Sequence, residues 1–219
     1  MILSFDIGTS AMKAGLLDEN GRVHALASQR MTLHAPAAGA AEHDPDELMR
    51  AVLALGGKVA GTRRRDVRLI VIASYQFGAM LLDKAMRPLT GITTLLDTRA
   101  QEASSTFYAG LDTADIYRRS ACPPFFQYPL ARLHYFRQAH PELYARAAHV
   151  LSCKDYLLYR LTGALLTEPS TASATQLMNA EKAAWDEQLL GLVGLGREQL
   201  PPIVEADAEQ LPLLLERGF

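Results

Sequence analysis

A group of residues suited to phosphate chemistry stands near the start of the chain, in the segment FDIGTSAMKAG. Asp6 lies at the end of a short apolar run, and the small residues Gly8, Thr9 and Ser10 follow it almost at once. A tight turn of small residues lets successive backbone N–H groups point into one concavity, which can bind phosphate oxygens. The two hydroxyl groups add donors, and Lys13 adds a positive charge. The segment therefore predicts a phosphate-binding turn.

The carboxylate of Asp6 is suited to a magnesium ion beside that turn. Mg²⁺ keeps most of its own waters and takes few protein oxygens, so a single carboxylate can hold it through water. Two other nucleotide-binding motifs are absent, because neither GxxxxGK[ST] nor GxGxxG occurs in the sequence. An ordinary hairpin turn with a capping aspartate is the alternative, and the surrounding elements decide between the two interpretations.

Three short strands are predicted at the start of the chain. ILSFDIG is an apolar run that ends at a glycine, and the turn signal ENG separates two further extended stretches. Strands joined by tight turns pair in an antiparallel manner. The predicted phosphate-binding turn therefore joins the first two strands as the tip of a hairpin.

A helix is predicted after the third strand. Asp44 can cap its N-terminus, Pro45 fits its first turn, and Glu47 completes an approximate capping box. The pair Gly56 and Gly57 is predicted to end or weaken this helix. The apolar face of the helix carries Leu48, Val52 and Leu55.

The rest of the chain changes from strands to helices. DVRLIVIASYQ is nearly all apolar, which favours a central strand in a sheet covered on both faces. GAMLLDKAMRPL predicts another strand that runs into a turn, and from residue 97 onward the pattern is mostly helical. Three strands, a helix, a strand and a long helical insertion indicate a ribonuclease-H-like α/β domain. This arrangement recurs in actin-like phosphotransferases.

Several segments together resemble the N-terminal domain of the FGGY family of carbohydrate kinases, which includes xylulokinases, gluconokinases and glycerol kinases. DIGTSAMKAGLLDENG resembles the first phosphate motif of the family, and AEHDPDEL resembles its acidic Asp-Pro segment. GAMLLDKAMRPL and LLDTRAQE resemble the strand, turn and Asp-x-Arg segment. SCKDYLLYRLTGALLTEPSTASATQLMN resembles a long family stretch, and a Trp-Asp pair follows it. The resemblance runs over essentially all 219 residues.

The resemblance implies a sugar site only in part. A gap-free match to the xylulokinase pattern Gln-Met-His-Gly puts Gln76 and Phe77 at the sugar-contact positions, where the amide can bond a hydroxyl and the phenyl ring cannot. Asp97 and Arg99 match the Asp-x-Arg pair, and Leu95 replaces the usual tryptophan. Structural roles stay open: a core position for the phenylalanine, and a helix cap with its ion-pair partner for the Asp-x-Arg pair.

The family implies ATP-dependent phosphorylation of a small carbohydrate or polyol hydroxyl, with ATP and Mg²⁺ as cofactors. A xylulokinase-like activity is the first expectation, with gluconate or another sugar as alternatives. Gly8, Thr9, Ser10 and Lys13 are expected to bind the ATP phosphates, and Asp6 is expected to hold Mg²⁺ through water. Gln76, Phe77, Asp97 and Arg99 are expected to bind the sugar.

Family members are considerably longer than this chain. Residues 1–219 are accordingly expected to be the N-terminal, sugar- and phosphate-binding domain of a two-domain kinase. The actin-like C-terminal domain, the catalytic base and the last strand of the sheet are expected beyond Phe219, so the chain alone is expected to be inactive. Two alternatives stay open: a non-catalytic remnant that binds a sugar or a partner protein, and an actin-like ATPase that does not act on sugars.

Composition narrows the partners. The formal net charge of −2 argues against a nucleic acid partner. No apolar run approaches the ~18 residues of a membrane span, and no secretory signal is expected, because the residues before the first strand show no basic region followed by an apolar block. A small-molecule sugar is the expected partner and the cytoplasm the expected compartment, while a homodimeric assembly stays open.

Other titratable residues give weaker signals. Glu42 and His43 suggest an acid/base pair, but their position just before a helix cap favours the surface. Cys122 and Cys153 form no motif and are expected to be free thiols in a reducing compartment. The histidines show no metal-ligand spacing, so no structural metal is expected.

Overall fold

The computed structural model describes residues 1–205 as a sheet, several short strand pairs and a set of helices. The strands, in chain order, are β1 (Ile2–Ile7), β2 (Ala11–Leu17), β3 (Val23–Arg30), β4 (Glu42–His43), β5 (Leu69–Ser74), β6 (Met80–Leu82), β7 (Ile92–Thr93), β8 (His149–Leu151), β9 (Met178–Asn179) and β10 (Ala184–Trp185). The α-helices are α1 (Pro45–Ala60), α2 (Gln101–Ala109), α3 (Thr113–Ser120), α4 (Pro129–Ala139), α5 (Pro141–Arg146), α6 (Cys153–Thr162), α7 (Pro169–Ser173) and α8 (Glu187–Val193). Short 3₁₀ turns cover Gly61–Asp66 and Arg197–Gln199.

The main sheet has four strands in the order β3-β2-β1-β5. β1 pairs antiparallel with β2, and β2 pairs antiparallel with β3, which confirms the predicted opening of the chain. β5 joins the sheet parallel to β1, after the crossover through α1. The C-terminal ends of β1 and β5 therefore lie at the same edge of the sheet.

β5 is not the doubly covered central strand that its apolar sequence predicts. Within residues 1–205 it pairs only with β1 and forms an edge of the sheet. Leu69 and Val71 are 48% and 45% exposed, whereas Ile70 and Ile72 pack against the core from the other face. An apolar run shows that a strand is hydrophobic, but not how many of its faces have neighbours.

Helix α1 begins as predicted but is stabilised differently. The side chain of Asp44 accepts a hydrogen bond from the Glu47 N–H at 2.7 Å. The Glu47 carboxylate lies 2.9 Å from Nε2 of His34, so this cross-link takes the place of the predicted capping box. The helix also continues through both glycines to Ala60. Packing of its apolar face outweighs the weak helix propensity of glycine, so the prediction that the two glycines end the helix is wrong.

The hydrophobic core has two parts. One cluster lies between the main sheet and helices α1 and α6, and includes Leu3, Phe5, Met12, Leu48, Val52, Tyr156 and Leu157. The other belongs to the helical part, and includes Tyr108, Leu130, Leu133, Phe136, Trp185 and Leu189. The second cluster confirms the predicted helical insertion. Among the helices of residues 1–205, none is both long enough and apolar enough to cross a bilayer.

Candidate phosphate and sugar site

The turn between β1 and β2 is tight and lies at the end of the sheet. The Gly8 N–H donates to the Ala11 carbonyl at 3.0 Å, and the Met31 N–H donates to the Ser10 carbonyl at 3.0 Å. A Cβ atom at Gly8 would lie 2.7 Å from the Ala11 oxygen, which is closer than real contacts allow. Ser10 is exposed and Thr9 is half-buried. The geometry explains why a glycine begins this turn and leaves its tip open to a ligand.

Asp6 and Lys13 stand opposite each other on the two strands of this hairpin. Both side chains are exposed, on the face of the sheet opposite to the buried Phe5 and Ile7. Directly opposed residues of antiparallel strands have Cβ atoms about 4.5–5.5 Å apart. One carboxylate and one ammonium group therefore flank the turn. Within residues 1–205, no group of three or more metal-ligating side chains occurs.

His43 is buried and bonds the hairpin turn, so it is not the surface residue that the sequence predicts. It is 1% exposed, with Nε2 at 3.1 Å from the Thr9 carbonyl and Nδ1 at 3.0 Å from the Tyr75 hydroxyl. A carbonyl can only accept, so Nε2 carries the hydrogen, and neutral Nδ1 accepts from the tyrosine. Burial lowers the pKa of His43. Nothing in the local sequence indicated this role, because its partners lie in distant segments.

The buried neutral His43 gives a pH-dependent stability that can be measured. The unfolded residue titrates near pH 6.5, above the native pKa, so below that pH the unfolded chain binds a proton that the native state does not. We expect the free energy of unfolding to fall as the pH drops from about 6.5, by at most about 1.4 kcal/mol per pH unit for one proton.

The matched variant is His43→Gln, whose amide can both donate to Thr9 and accept from Tyr75 without titrating. Urea unfolding at pH 7, 6 and 5 should give the variant a shallower dependence than the wild type. Half-buried His134, whose pKa burial also lowers, is present in both proteins and cancels in the comparison. If the free energy of unfolding depended on pH equally in the two proteins, His43 would not be the buried neutral residue assigned here.

Asp97, Arg99 and Glu42 form a buried ion-pair cluster. Asp97 is 1% exposed and accepts from the Ala41 N–H at 3.1 Å, and from Nε and Nη2 of Arg99 at 3.0 Å and 2.7 Å. The same Nη2 also donates to Glu42. Burial alone would lower the pKa of Arg99, but the hydrogen bonds and charges of the two carboxylates raise it. The Arg99 guanidinium also lies over the Phe136 ring, 5.1 Å from its centroid.

This cluster changes the expected roles of three residues. Glu42 is buried beside Arg99, so its predicted surface position is wrong. The ion pair between Asp97 and Arg99, one of the two alternatives from the sequence, is present, but the N-cap position of α2 is Ala100. The contact of Asp97 and Arg99 with a sugar stays a prediction, since their polar atoms already bond each other and the protein.

Gln76 and Phe77 lie directly after β5. Both are half-buried, and Phe77 belongs to neither core cluster. Its ring packs edge-on against Tyr128, with the ring centroids 5.1 Å apart. Phe77 has a φ of 65°, an uncommon value for a residue other than glycine. Leu95, at the usual tryptophan position, is exposed.

The turn between β1 and β2 and the segment after β5 lie at the same end of the sheet, where the C-termini of β1 and β5 meet. Ile7 is opposite Ser74 in the parallel register, and the Tyr75 N–H donates to the Ile7 carbonyl at 2.9 Å. The turn begins at Gly8 and Gln76 follows Tyr75. The two predicted binding segments therefore start side by side, where open α/β sheets commonly bind their ligands.

Arg132 on α4 was not predicted, and it joins the two segments expected to bind the sugar. Its Nη1 donates to the Phe77 carbonyl and to Thr93 Oγ1, both at 2.8 Å, and its Nη2 donates to the Thr94 carbonyl at 2.6 Å. The side chain is 1% exposed, and burial lowers its pKa to about 10. The sequence carried one signal for it, a charge within the apolar helix run PLARLHYF.

A mixed sheet that opens with a tight hairpin and is followed by a helical insertion is the arrangement of the actin-like ATPase fold. The family described as "FGGY family of carbohydrate kinases, N-terminal domain" matches residues 1–212. The chain therefore belongs to the FGGY family of carbohydrate kinases. This match confirms the family that the sequence motifs indicated.

Relatives with known names extend this result. A gluconokinase of Bacillus licheniformis is 28% identical over 208 residues, which cover 94% of this chain and 40% of the relative. A xylulose kinase of Escherichia coli (strain K12) is 30% identical over 209 residues, covering 94% of this chain and 42% of the relative. The chain thus spans less than half the length of these relatives.

A solved structure supports the fold. The ligand-bound xylulose kinase of Lactobacillus acidophilus superposes with a TM-score of 0.90 at 26% identity, covering 98% of this chain and 44% of that protein. The ribonuclease-H-like, actin-like ATPase fold class predicted from the order of elements is therefore confirmed.

Proposed function

We propose that this chain provides the sugar- and phosphate-binding domain of an ATP-dependent kinase that phosphorylates a hydroxyl group of a small carbohydrate or polyol. The main observation in support is that the hairpin turn lies beside the segment that contains Gln76. The Tyr75 N–H joins the two by its hydrogen bond to the Ile7 carbonyl. Phosphoryl transfer depends mainly on holding the phosphate and the attacking hydroxyl in line and on neutralising charge. A shared edge of the sheet offers both groups one location.

The phosphate half of the site is proposed from the hairpin. The turn that Gly8 begins would present the backbone N–H groups and the hydroxyls of Thr9 and Ser10 to phosphate oxygens, and Lys13 would add a positive charge. The exposed carboxylate of Asp6 fits a Mg²⁺ ion held through water, because this ion takes few protein ligands. Mg²⁺, when bound, neutralises charge on the phosphate oxygens of ATP.

The sugar half is proposed from the segment after β5. The Gln76 amide would hydrogen-bond a sugar hydroxyl, and the paired rings of Phe77 and Tyr128 would pack against its C–H face. The buried cluster of Asp97 and Arg99 would hold the adjoining loop in place. A xylulose-like acceptor is proposed first and gluconate second, in line with the relatives that the chain matches.

We propose that the catalytic base lies outside this chain. In residues 1–205, Asp97 already accepts several N–H groups, and Asp6 faces the proposed phosphates. General-base help is typically worth about 10²–10⁴-fold in rate. Residues 1–219 alone are therefore proposed to bind ligands but not to catalyse phosphoryl transfer, with an actin-like second domain completing the enzyme.

The reducing cytoplasm is the proposed compartment, in keeping with the free thiols of Cys122 and Cys153.

A non-catalytic sugar- or partner-binding remnant is the second candidate, because Asp97, near the proposed sugar site, already accepts several N–H groups. The test begins with the ¹⁵N-labelled 219-residue chain, titrated with Mg²⁺-ADP, D-xylulose, gluconate and glycerol. Amide shifts at Gly8 to Lys13 with the nucleotide, and at Gln76 and Phe77 with one sugar, are expected. Absence of both responses would contradict the proposed site.

ADP release is then followed with the same sugars, first for the chain alone and then with the C-terminal half of a gluconokinase relative added. We expect sugar-dependent release only in the second mixture. Turnover by the chain alone, on the order of 1 s⁻¹ or more, would show that the base lies within it. Ligand binding without turnover in either mixture favours the remnant.

A further inference from the structure

We propose that Arg132 is a positioning residue for sugar recognition, which acts by holding the backbone of Phe77 and the loop that begins at Thr94. The inference rests on the proposed function, because it concerns the same sugar pocket. Arg132 is almost fully buried, so its guanidinium meets no ligand directly and acts through the residues it bonds. It lies on α4, outside every segment that the sequence motifs assigned to the site.

Phe77 needs such support because its backbone is strained. Its φ of 65° lies in the left-handed region, which is strained for a bulky residue. The next residue, Gly78, passes so close to β7 that an added Cβ atom would lie 3.0 Å from the Thr93 carbonyl. The chain thus makes a sharp, tightly packed turn just where the proposed sugar contacts stand. An outside group must hold that conformation.

Arg132 supplies this support with a planar fork. One nitrogen holds the Phe77 carbonyl and the Thr93 hydroxyl, and the other holds the Thr94 carbonyl. A guanidinium is rigid, so these bonds fix the spacing between the two loops. Tyr128, at the start of the same helix, packs its ring against the Phe77 ring. Helix α4 therefore holds both the main chain and the side chain of Phe77.

The charge of Arg132 makes a merely space-filling role a poor explanation. Within residues 1–205 no carboxylate lies at ion-pair distance from it, and its Nε has no hydrogen-bond partner. Burying a guanidinium without an ion-pair partner costs stability, and an apolar side chain of similar volume would avoid that cost. The charge of Asp97 offsets this burial in part and raises the pKa of Arg132. Arg132 therefore lowers the stability of the fold but fixes the distance between the Phe77 segment and the loop that begins at Thr94, as expected of a positioning residue.

The test uses Arg132→Met and Arg132→Lys in the 219-residue chain, with D-xylulose and gluconate as sugar probes and pyrophosphate as the probe of the hairpin. Calorimetric titration should show sugar binding about tenfold weaker or more in both variants, as expected when charge-assisted hydrogen bonds are lost. Pyrophosphate binding should stay within about twofold, because the side chain of Arg132 bonds Phe77, Thr93 and Thr94 and no residue of the hairpin. Lysine should not restore sugar binding, since one ammonium group cannot replace the planar guanidinium.

The split between the two ligands separates positioning from a general structural role, which would weaken both ligands or neither. Folded variants that bind sugar as the wild type does would overturn the inference. A wild type that binds pyrophosphate but neither sugar would instead overturn the proposed sugar site, and this inference with it.

Should both arginine variants fail to fold, the pair Thr93→Val and Thr93→Ser gives the answer. Valine removes the hydroxyl that accepts from Nη1, and serine keeps it. We expect sugar affinity to fall severalfold with valine and to stay close to wild type with serine. Equal sugar binding by these two variants would overturn the inference.

Discussion

Arg99→Met is expected to lower the free energy of unfolding by about 3–5 kcal/mol, the usual effect of removing one partner from a buried ion pair. Arg99 is the shared partner of Asp97 and Glu42, and each of the three side chains is at most 9% exposed. Without the guanidinium, two carboxylates would be left close together and poorly solvated. Methionine keeps much of the side-chain volume, so the loss reports mainly on charge. Urea unfolding at neutral pH gives the value.

The matched control is Arg87→Met, which breaks the i,i+4 ion pair with Asp83. The Arg87 side chain is 78% exposed, and surface pairs are typically worth at most about 1 kcal/mol. A second check combines Arg99→Met with Glu42→Gln, which should recover part of the loss because one stranded carboxylate becomes neutral. Similar losses for the two arginine variants would refute the view that the Arg99 cluster is buried and coupled.

Gly8→Ala is expected to weaken binding of Mg²⁺-ADP or pyrophosphate by about 10- to 100-fold, the range for losing one hydrogen bond to a charged group. The backbone of Gly8 has an ordinary φ, so the obstacle is space: the new methyl would lie 2.7 Å from the Ala11 carbonyl. The turn must open to accommodate it, which moves the N–H groups proposed to hold phosphate. Calorimetric titration of the 219-residue chain measures the loss.

Gly57→Ala is the matched control, since a Cβ atom there meets nothing within 4 Å. This glycine lies inside α1, where alanine should raise the free energy of unfolding by about 0.5–1 kcal/mol. Its phosphate affinity should equal that of the wild type. Unchanged binding in a folded Gly8→Ala protein would remove the hairpin from the proposed phosphate site.

The sequence by itself determined the features that depend on neighbouring residues. Small residues between two apolar runs gave the hairpin at Gly8, and a short polar residue before a proline gave the helix start at Asp44. Such features follow from local sterics and from hydrogen bonds within a few residues. The same holds for the family, because its motifs are contiguous stretches. These levels could be predicted without coordinates.

The tertiary structure alone decided what depends on distant partners. β5 is an edge strand because of which strands pair with it, and α1 runs through Gly56 and Gly57 because packing outweighs their propensity. His43 is buried because Thr9, 34 residues away, lies above it. Arg132 bonds the carbonyl of a residue 55 positions earlier. The spacing of residues in the sequence does not predict such contacts, because they form only when separate elements pack together. The proposed sugar site is held in place by contacts of this kind.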